Sequence, residues 1–400
     1  MNGPCSPLGK TALSPEEILH KDQLRVRSIH SMINKQVRDS KAKIPTSSGR
    51  PFDSRNYVVN IGIGTPQKKF WVTMDTGSSL TWILCQPCPN CRGPIFFPSQ
   101  SSSYSNVACG SAECSQVYSA THYSPRCSIA CVYETQYTDR DFSIGLFVRE
   151  TLRLTPSDVF PGFKFGCGHN VSLQDSTSGL LGLGPQPISL VSQTATKFGK
   201  VFSYCLPRSE NSNGFLAFGN QTGATSSAVK YTQLIINPRN LDFYFVPLIG
   251  ISVNGQRLAI PPSTFSNPGT VIDSGTVISR LPPLAYRTLR NVFNAAMSHY
   301  PSAPGIGPFD ACYDFSRNET VMVPSIVLHF GGGADIQLDS HSGILVNARL
   351  SQPSQFCLAF FPNDNVRQKG ILGNMQQRTY EVIYDLPRGR LGFRSVGTTC

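Results

Sequence analysis

Residues 74–82 read MDTGSSLTW and residues 271–282 read VIDSGTVISRLP. Each stretch is an apolar run that ends in Asp, then Thr or Ser, then Gly: Asp75-Thr76-Gly77 in the first and Asp273-Ser274-Gly275 in the second. One such triplet is ordinary turn composition, because Asp and Gly are common turn residues. Two with matching flanks form an internal repeat. Tyr57 opens YVVNIGI ahead of the first Asp and Tyr244 opens YFVPLIGIS ahead of the second. Leu180-Leu181-Gly182 and Ile371-Leu372-Gly373 follow the two Asp residues at similar distances. The chain therefore reads as two related β lobes, each contributing one Asp-(Thr/Ser)-Gly loop.

The rest of the chain agrees with that division. Its 400 residues are 40% hydrophobic and 15% charged, which excludes intrinsic disorder, and no apolar run approaches the roughly 20 residues of a membrane-spanning helix. From Asn56 onward, short apolar runs are broken by Gly, Pro and Ser, the pattern of strands and turns. Strands are expected at 57–63, 70–74, 243–251, 321–330 and 380–384. The expected helices are short, at 188–198 and at 283–298, where Leu284, Leu289, Val292, Phe293 and Ala296 make an apolar stripe. Residues 14–38 read as a further helix, with Ser14, Pro15 and Glu17 as start signals and Leu19, Val26, Ile29, Ile33 and Val37 on one face. This helix is either packed on the core or part of a removable prosegment, since the polar KAKIPTSSGRPF stretch behind it is open to a protease. The expected organisation is a basic prosegment at 1–48, a first β lobe at 49–227 and a second at 228–400, with a mature chain beginning between about Lys43 and Asn56.

The chemistry lies in the two carboxylates. In each loop the preceding apolar strand buries the Asp, and the Gly two residues on allows a tight turn that aims backbone N–H groups at the carboxylate. Thr76 and Ser274 are placed to cross-brace the loops, and Ser78 and Thr276 to hydrogen-bond the outer carboxylate oxygens. Two carboxylates at close range cannot both ionise cheaply, so the pair shares one proton at acid pH. The ionised member can deprotonate a bound water while the protonated one supports the carbonyl oxygen of a peptide under attack. No metal, cofactor or covalent intermediate is needed.

The net charge of +11 is not gathered in one block, although residues 1–50 hold nine Lys or Arg against four acids. The remainder carries an ordinary surface charge and gives only weak support for nucleic-acid binding. Thirteen cysteines leave one over, assigned to Cys5, and twelve to pair. That count and the sequons at Asn170, Asn220 and Asn318 suit the secretory route, although residues 1–10 lack the apolar region of a signal peptide. The chain is then either missing a leader or kept inside the cell. Cys85, Cys88 and Cys91 have a C-x₂-C-x₂-C spacing that also fits zinc or an iron–sulfur cluster. Histidine spacing does not fit a zincin, and Ser78 lacks a nucleophile-elbow context.

Taken together, MDTGSSLTW (74–82), LLGLG (180–184), VIDSGTVISRLP (271–282) and ILGNMQQ (371–377) resemble the pepsin-type aspartic proteases. The Cys-rich 85–131 segment, FGCGH (165–169) and SYCL (203–206) resemble the plant nepenthesin-type branch, and the opening NGPCSPL resembles its nucleoid-protease-like members. The resemblance implies an all-β, bilobal fold with pseudo-twofold-related lobes and few short helices. It implies a catalytic pair of Asp75 and Asp273, supported by Thr76, Gly77, Ser78, Ser274, Gly275 and Thr276. It also implies a hairpin flap whose Tyr137 reaches the indole of Trp82. It implies disulfides Cys85–Cys88, Cys91–Cys167, Cys109–Cys131, Cys114–Cys127, Cys205–Cys400 and Cys312–Cys357. The flap departs from the family, with Thr138, Arg140 and Asp141 where the pattern has Gly, Gly and Ser. The expected function is a monomeric acid endopeptidase acting on protein or peptide and blocked by pepstatin-like inhibitors. It is expected in the apoplast or vacuole, with the chloroplast as the alternative. Two other readings stand beside it: a catalytically weak homologue serving as a protein-binding or inhibitor module, and a DNA-binding plastid protease.

Overall fold

The computed structural model describes residues 41–127, 130–137, 141–209, 212–219, 229–235, 241–266, 269–318, 320–347 and 354–396. Residues 41–400 form one compact unit. The expected 14–38 helix, Cys5, the flap-tip residues Thr138 and Arg140, Asn220 and Cys400 lie outside the described residues.

The unit is built mainly of strands, as the alternation of short apolar runs required. A sheet of 15 strands begins at Arg126–Cys127 in the first half and passes through Lys68–Asp75 and Tyr57–Ile63 to Ala42–Ser48. It continues through Gly214–Phe218 and Val201–Cys205 into Tyr380–Asp385 and Arg390–Ser395 near the carboxyl end. The second half adds sheets of five, four and four strands. The two halves are thus sewn together by antiparallel pairing of Val201–Cys205 with Tyr380–Asp385. At this seam Phe202 stacks on Tyr384 with ring centroids 4.3 Å apart, both fully buried. Such a pair contributes about 0.5–1.5 kcal/mol beyond its buried area.

The repeat is visible in the strand pairing. In the first half, Lys68–Asp75 runs parallel to Gly179–Gly182, which pairs antiparallel with Trp82–Leu84, which in turn runs parallel to Asp158–Val171. In the second half, Thr270–Ile272 runs parallel to Gly370–Leu372, which pairs antiparallel with Ser279–Leu281, itself parallel to Phe360–Pro362. One topology has been used twice, and each copy ends at an Asp.

Several elements differ from expectation, for local reasons. Ala42–Ser48, expected to be an open linker, is a strand between Tyr57–Ile63 and Gly214–Phe218, with Ala42, Ile44 and Thr46 buried on alternate positions. Pro247 interrupts the expected 243–251 strand, and Pro324 stands just ahead of Ile326–Phe330. The 188–198 helix is two single turns, Leu190–Gln193 and Ala195–Phe198. The Pro283–Ala296 helix forms with proline in its first turn, but its buried face is Ala285, Tyr286, Leu289 and Phe293, leaving Leu284 and Val292 exposed. A helix not expected, Ala112–Thr121, starts where the Ser111 hydroxyl accepts the Cys114 N–H at 3.2 Å.

The disulfides are corrected by the structure in four of the implied pairs. Cys85 bonds Cys167 and Cys88 bonds Cys91, in place of Cys85–Cys88 and Cys91–Cys167. Cys109 bonds Cys127 and Cys114 bonds Cys131, in place of Cys109–Cys131 and Cys114–Cys127. Cys312–Cys357 is as implied, between directly paired residues of adjacent strands. The reason lies in the strands: Ile83 is paired with Cys167 in a parallel ladder, so Cys85, two residues on, emerges on the same side within reach of it. All three sulfurs of the C-x₂-C-x₂-C segment are consumed in these bonds, which removes them as metal ligands. Peptide mapping without reduction is expected to recover Cys85 linked to Cys167, and the Cys85–Cys88 loop would refute that pairing.

Candidate active site

Both Asp residues stand at the end of a strand held in parallel pairing. Leu181 lies opposite Met74 and Gly182 opposite Asp75, while Ile371 lies opposite Val271 and Leu372 opposite Ile272. The Leu183 N–H donates to the Asp75 carbonyl at 2.8 Å, and the Asp273 N–H donates to the Leu372 carbonyl at 3.0 Å. Met74, Leu181, Ile272 and Leu372 are all buried, so each carboxylate rises from a fixed apolar floor.

The loops then match atom for atom. Gly77 N–H donates to Asp75 Oδ1 at 2.8 Å, and Gly275 N–H to Asp273 Oδ1 at 2.9 Å. The Ser78 hydroxyl donates to Asp75 Oδ2, and the Thr276 hydroxyl to Asp273 Oδ2 at 2.6 Å. Between the loops, Thr76 Oγ1 accepts the Ser274 N–H at 2.9 Å and Ser274 Oγ accepts the Thr76 N–H at 3.1 Å. Ser274 Oγ also donates to the Met74 carbonyl at 3.0 Å. The carboxylates therefore meet across a pseudo-twofold axis braced by backbone bonds. Their closeness explains both glycines. A Cβ on Gly77 would stand 2.7 Å from Asp273 Oδ1, and one on Gly275 would stand 2.4 Å from Asp75 Oδ1.

Burial is the largest influence on Asp75, followed by the negative charge of Asp273; together with hydrogen bonding between the two carboxyls they push Asp75 up to about 7. Hydrogen bonds from Ser78 and the Gly77 N–H act in the opposite direction and lose. The pair can thus hold one proton across acid and mildly acid pH, with one carboxyl ionised beside one that is not.

The strands Cys131–Gln136 and Phe142–Thr155 form an antiparallel hairpin beside this pair, closed at Gln136 opposite Phe142 and by the Tyr137 N–H donating to the Asp141 carbonyl at 2.8 Å. The buried Trp82 indole donates to the Tyr137 hydroxyl at 2.7 Å. Tyr137 is pushed well above the usual phenol range, first by burial and then by the charge of Asp75, so it stays a neutral donor. Asp141 accepts a 3.4 Å hydrogen bond from Ser172. Of the sequons, Asn170 and Asn318 are exposed.

A layer beneath the loops was missed in the sequence. Asn374 Nδ2 donates to the Ser274 carbonyl at 3.0 Å, and Gln377 Nε2 donates to the Asp273 carbonyl at 3.1 Å. Gln377 Oε1 accepts from the Tyr204 hydroxyl, which lies 3.2 Å from that of Tyr384. All four side chains are buried. The available signal was three polar residues, Asn374, Gln376 and Gln377, directly after the apolar ILG.

Comparison with known proteins accords with this geometry. Residues 57–220 match the family model described as Xylanase inhibitor N-terminal, and 243–395 the one described as Xylanase inhibitor C-terminal. An aspartyl protease family protein of Arabidopsis thaliana is 45% identical over 99% of this chain and 85% of its own length. Aspartyl protease AED1 of the same plant is 43% identical over 99% and 85%. Aspartic proteinase nepenthesin-2 of Nepenthes gracilis is 32% identical over 96% and 85%. Among solved structures, basic 7S globulin from soybean shares the fold with a TM-score of 0.71 at 23% identity, covering 90% of this chain and 97% of that one. Conglutin gamma from lupine seeds shares it with a TM-score of 0.70 at 24% identity, covering 90% and 95%. With two matched family halves and full-length relatives named as aspartyl proteases, the chain belongs to the plant pepsin-type aspartic protease family.

Proposed function

We propose that this protein is an aspartic endopeptidase that hydrolyses peptide bonds at acid pH with a water molecule activated between Asp75 and Asp273. The observation that carries the reading is the raised Asp75 carboxyl against a hydrogen-bonded Asp273, each braced by the same glycine N–H and hydroxyl pair. The ionised carboxyl takes a proton from the water as it attacks the scissile carbonyl, and the protonated carboxyl donates to the carbonyl oxygen as it gains charge. As the C–N bond breaks, the carboxyl that took the water's proton passes it to the leaving nitrogen and the other recovers its proton from a hydroxyl of the intermediate, which restores the pair for another turnover. Tyr137, held by Trp82, closes the hairpin over the substrate and keeps bulk water from the reacting atoms.

A second reading, a protein-binding or inhibitor module, draws on the family models' description and on the changed residues in the hairpin. The paired carboxylates favour the enzyme. The five described disulfides support passage through an oxidising compartment, for which the apoplast or vacuole is proposed. The test is incubation of the purified chain with an unfolded protein from pH 3 to 7. Cleavage between bulky apolar residues, blocked by pepstatin, is expected. Complete inertness across that range would leave the module reading standing.

A further inference from the structure

Two adjoining cavities, of about 380 and 210 Å³, share Ser48, Arg50, Tyr57 and Arg378 in their walls. The larger is closed by Pro207 and Arg208, and the smaller by Arg55, Val277 and Met375 among others. Four arginines, Arg50, Arg55, Arg208 and Arg378, therefore line these two adjoining spaces. Arg208 is neutralised by Asp339 at 3.2 Å. Arg378 is not neutralised: its Nε donates to the Tyr57 hydroxyl oxygen at 2.7 Å and its Nη1 to the Ser342 carbonyl at 3.2 Å, both uncharged acceptors. The Tyr57 hydroxyl in turn donates to the Pro207 carbonyl at 3.0 Å, so the guanidinium is fixed in orientation. Among the described residues, neither Arg55 nor Arg378 has a carboxylate within ion-pair distance. A half-buried, pre-oriented guanidinium with only neutral partners favours an anion, and a planar carboxylate suits its fork geometry.

The smaller cavity has Val277 and Met375 in its wall, next to the second Asp loop. Val277 follows Thr276, whose hydroxyl holds Asp273, and the Asn374 and Met375 N–H groups clamp the carbonyls of Thr276 and Val277 at 2.7 and 3.2 Å. Val277 is four residues along the chain from Asp273, a span of at most about 14 Å. An extended polypeptide advances about 3.3–3.6 Å per residue, so one lying over the carboxylate pair comes level with the cavity within about four residues.

We propose that this cavity binds an acidic side chain of the polypeptide substrate about four residues from the scissile bond, giving the protein a preference for Glu or Asp there. The proposal rests on the proteolytic reading and adds a substrate class to it. The test uses the full chain at pH 5 and peptides that share one cleavable bond and carry Glu or Gln at each position three to five residues away on either side. At one position, Glu is expected to raise kcat/KM about tenfold over Gln, the size of a charge-assisted hydrogen bond. Arg378→Gln should abolish that preference while the Gln peptides are cleaved within about twofold of the original rate. Because Arg378 also holds Tyr57, the exposed Arg55→Gln serves as the second variant and should reduce the preference at the same position. Equal rates for Glu and Gln peptides at every position, or a preference that survives both variants, overturns the proposal. If no peptide is cleaved at all, it is the proteolytic reading that fails. Calorimetry of the Glu and Gln peptides on Asp75→Asn protein then decides the cavity separately: tighter binding of the Glu peptide supports it, and equal binding, or displacement by sulfate with no discrimination between peptides, refutes it.

Discussion

Asp75→Asn and Asp273→Asn will each lower kcat/KM on a cleavable peptide by at least about a thousandfold, the range expected when a general acid–base partner is removed. Asn is close to isosteric with Asp, and its side-chain oxygen can still accept the Gly77 or Gly275 N–H, so the loop geometry should survive. What disappears is the ability to exchange a proton with water and with the carbonyl oxygen. Because the two carboxyls act as one unit, the double variant should be little worse than either single one. The check is kcat/KM for the three variants at pH 4, beside melting curves that establish folding. Activity within tenfold of the original in either single variant rules out a shared-proton mechanism.

The second large effect is a dependence of stability on pH that is opposite in sign to the usual carboxylate case. Asp75 is raised in the folded protein to about 7 from 3.8, so between about pH 4 and 7 the folded state keeps a proton that the unfolded chain has released. The folded state binding more protons means that stability falls as pH rises through that window, at a slope approaching about 1.4 kcal/mol per unit from this group alone. Below about pH 4 the group is protonated in both states and its contribution is constant. Activity should follow the same titration, declining on the alkaline side as the pair loses its shared proton near neutrality. Urea melts from pH 3.5 to 8 on the original chain and on Asp75→Asn provide the measurement. The variant should show a flatter stability curve over pH 4–7, and an unchanged slope would mean that Asp75 titrates like an exposed acid.

The two Asp loops were legible because their constraints are local and doubled. An Asp that needs a buried strand before it and a hydrogen-only residue two positions later writes the same short string twice. The topology followed, since LLG and ILG lie in the strands that pair in parallel with the two strands leading into those loops. The disulfides of the first half were not legible, although Cys312–Cys357 was as implied. Cysteines at 85, 88 and 91 look alike in sequence, and only the parallel pairing of Ile83 with Cys167 brings Cys85 to its partner. The supporting layer of Tyr204, Gln377 and Tyr384 was hidden for a similar reason, because its members come from distant segments and meet only at the seam between the halves. At 283–298 the helix was found but its inward face was misjudged, since Leu284 and Val292 fit an apolar stripe as well as Ala285 and Tyr286 do.

The strand at Ala42–Ser48 limits where the amino end could be cut without damage. Thr46 faces Val59 on one side and Gly214 on the other, so cutting between Lys43 and Asn56 would free two rows of backbone donors and acceptors in the middle of the sheet. A processing enzyme that leaves the folded body undamaged has to stop at or before Lys41. Any trimming of the amino end is thereby limited by an interior seam of the molecule rather than by local sequence alone.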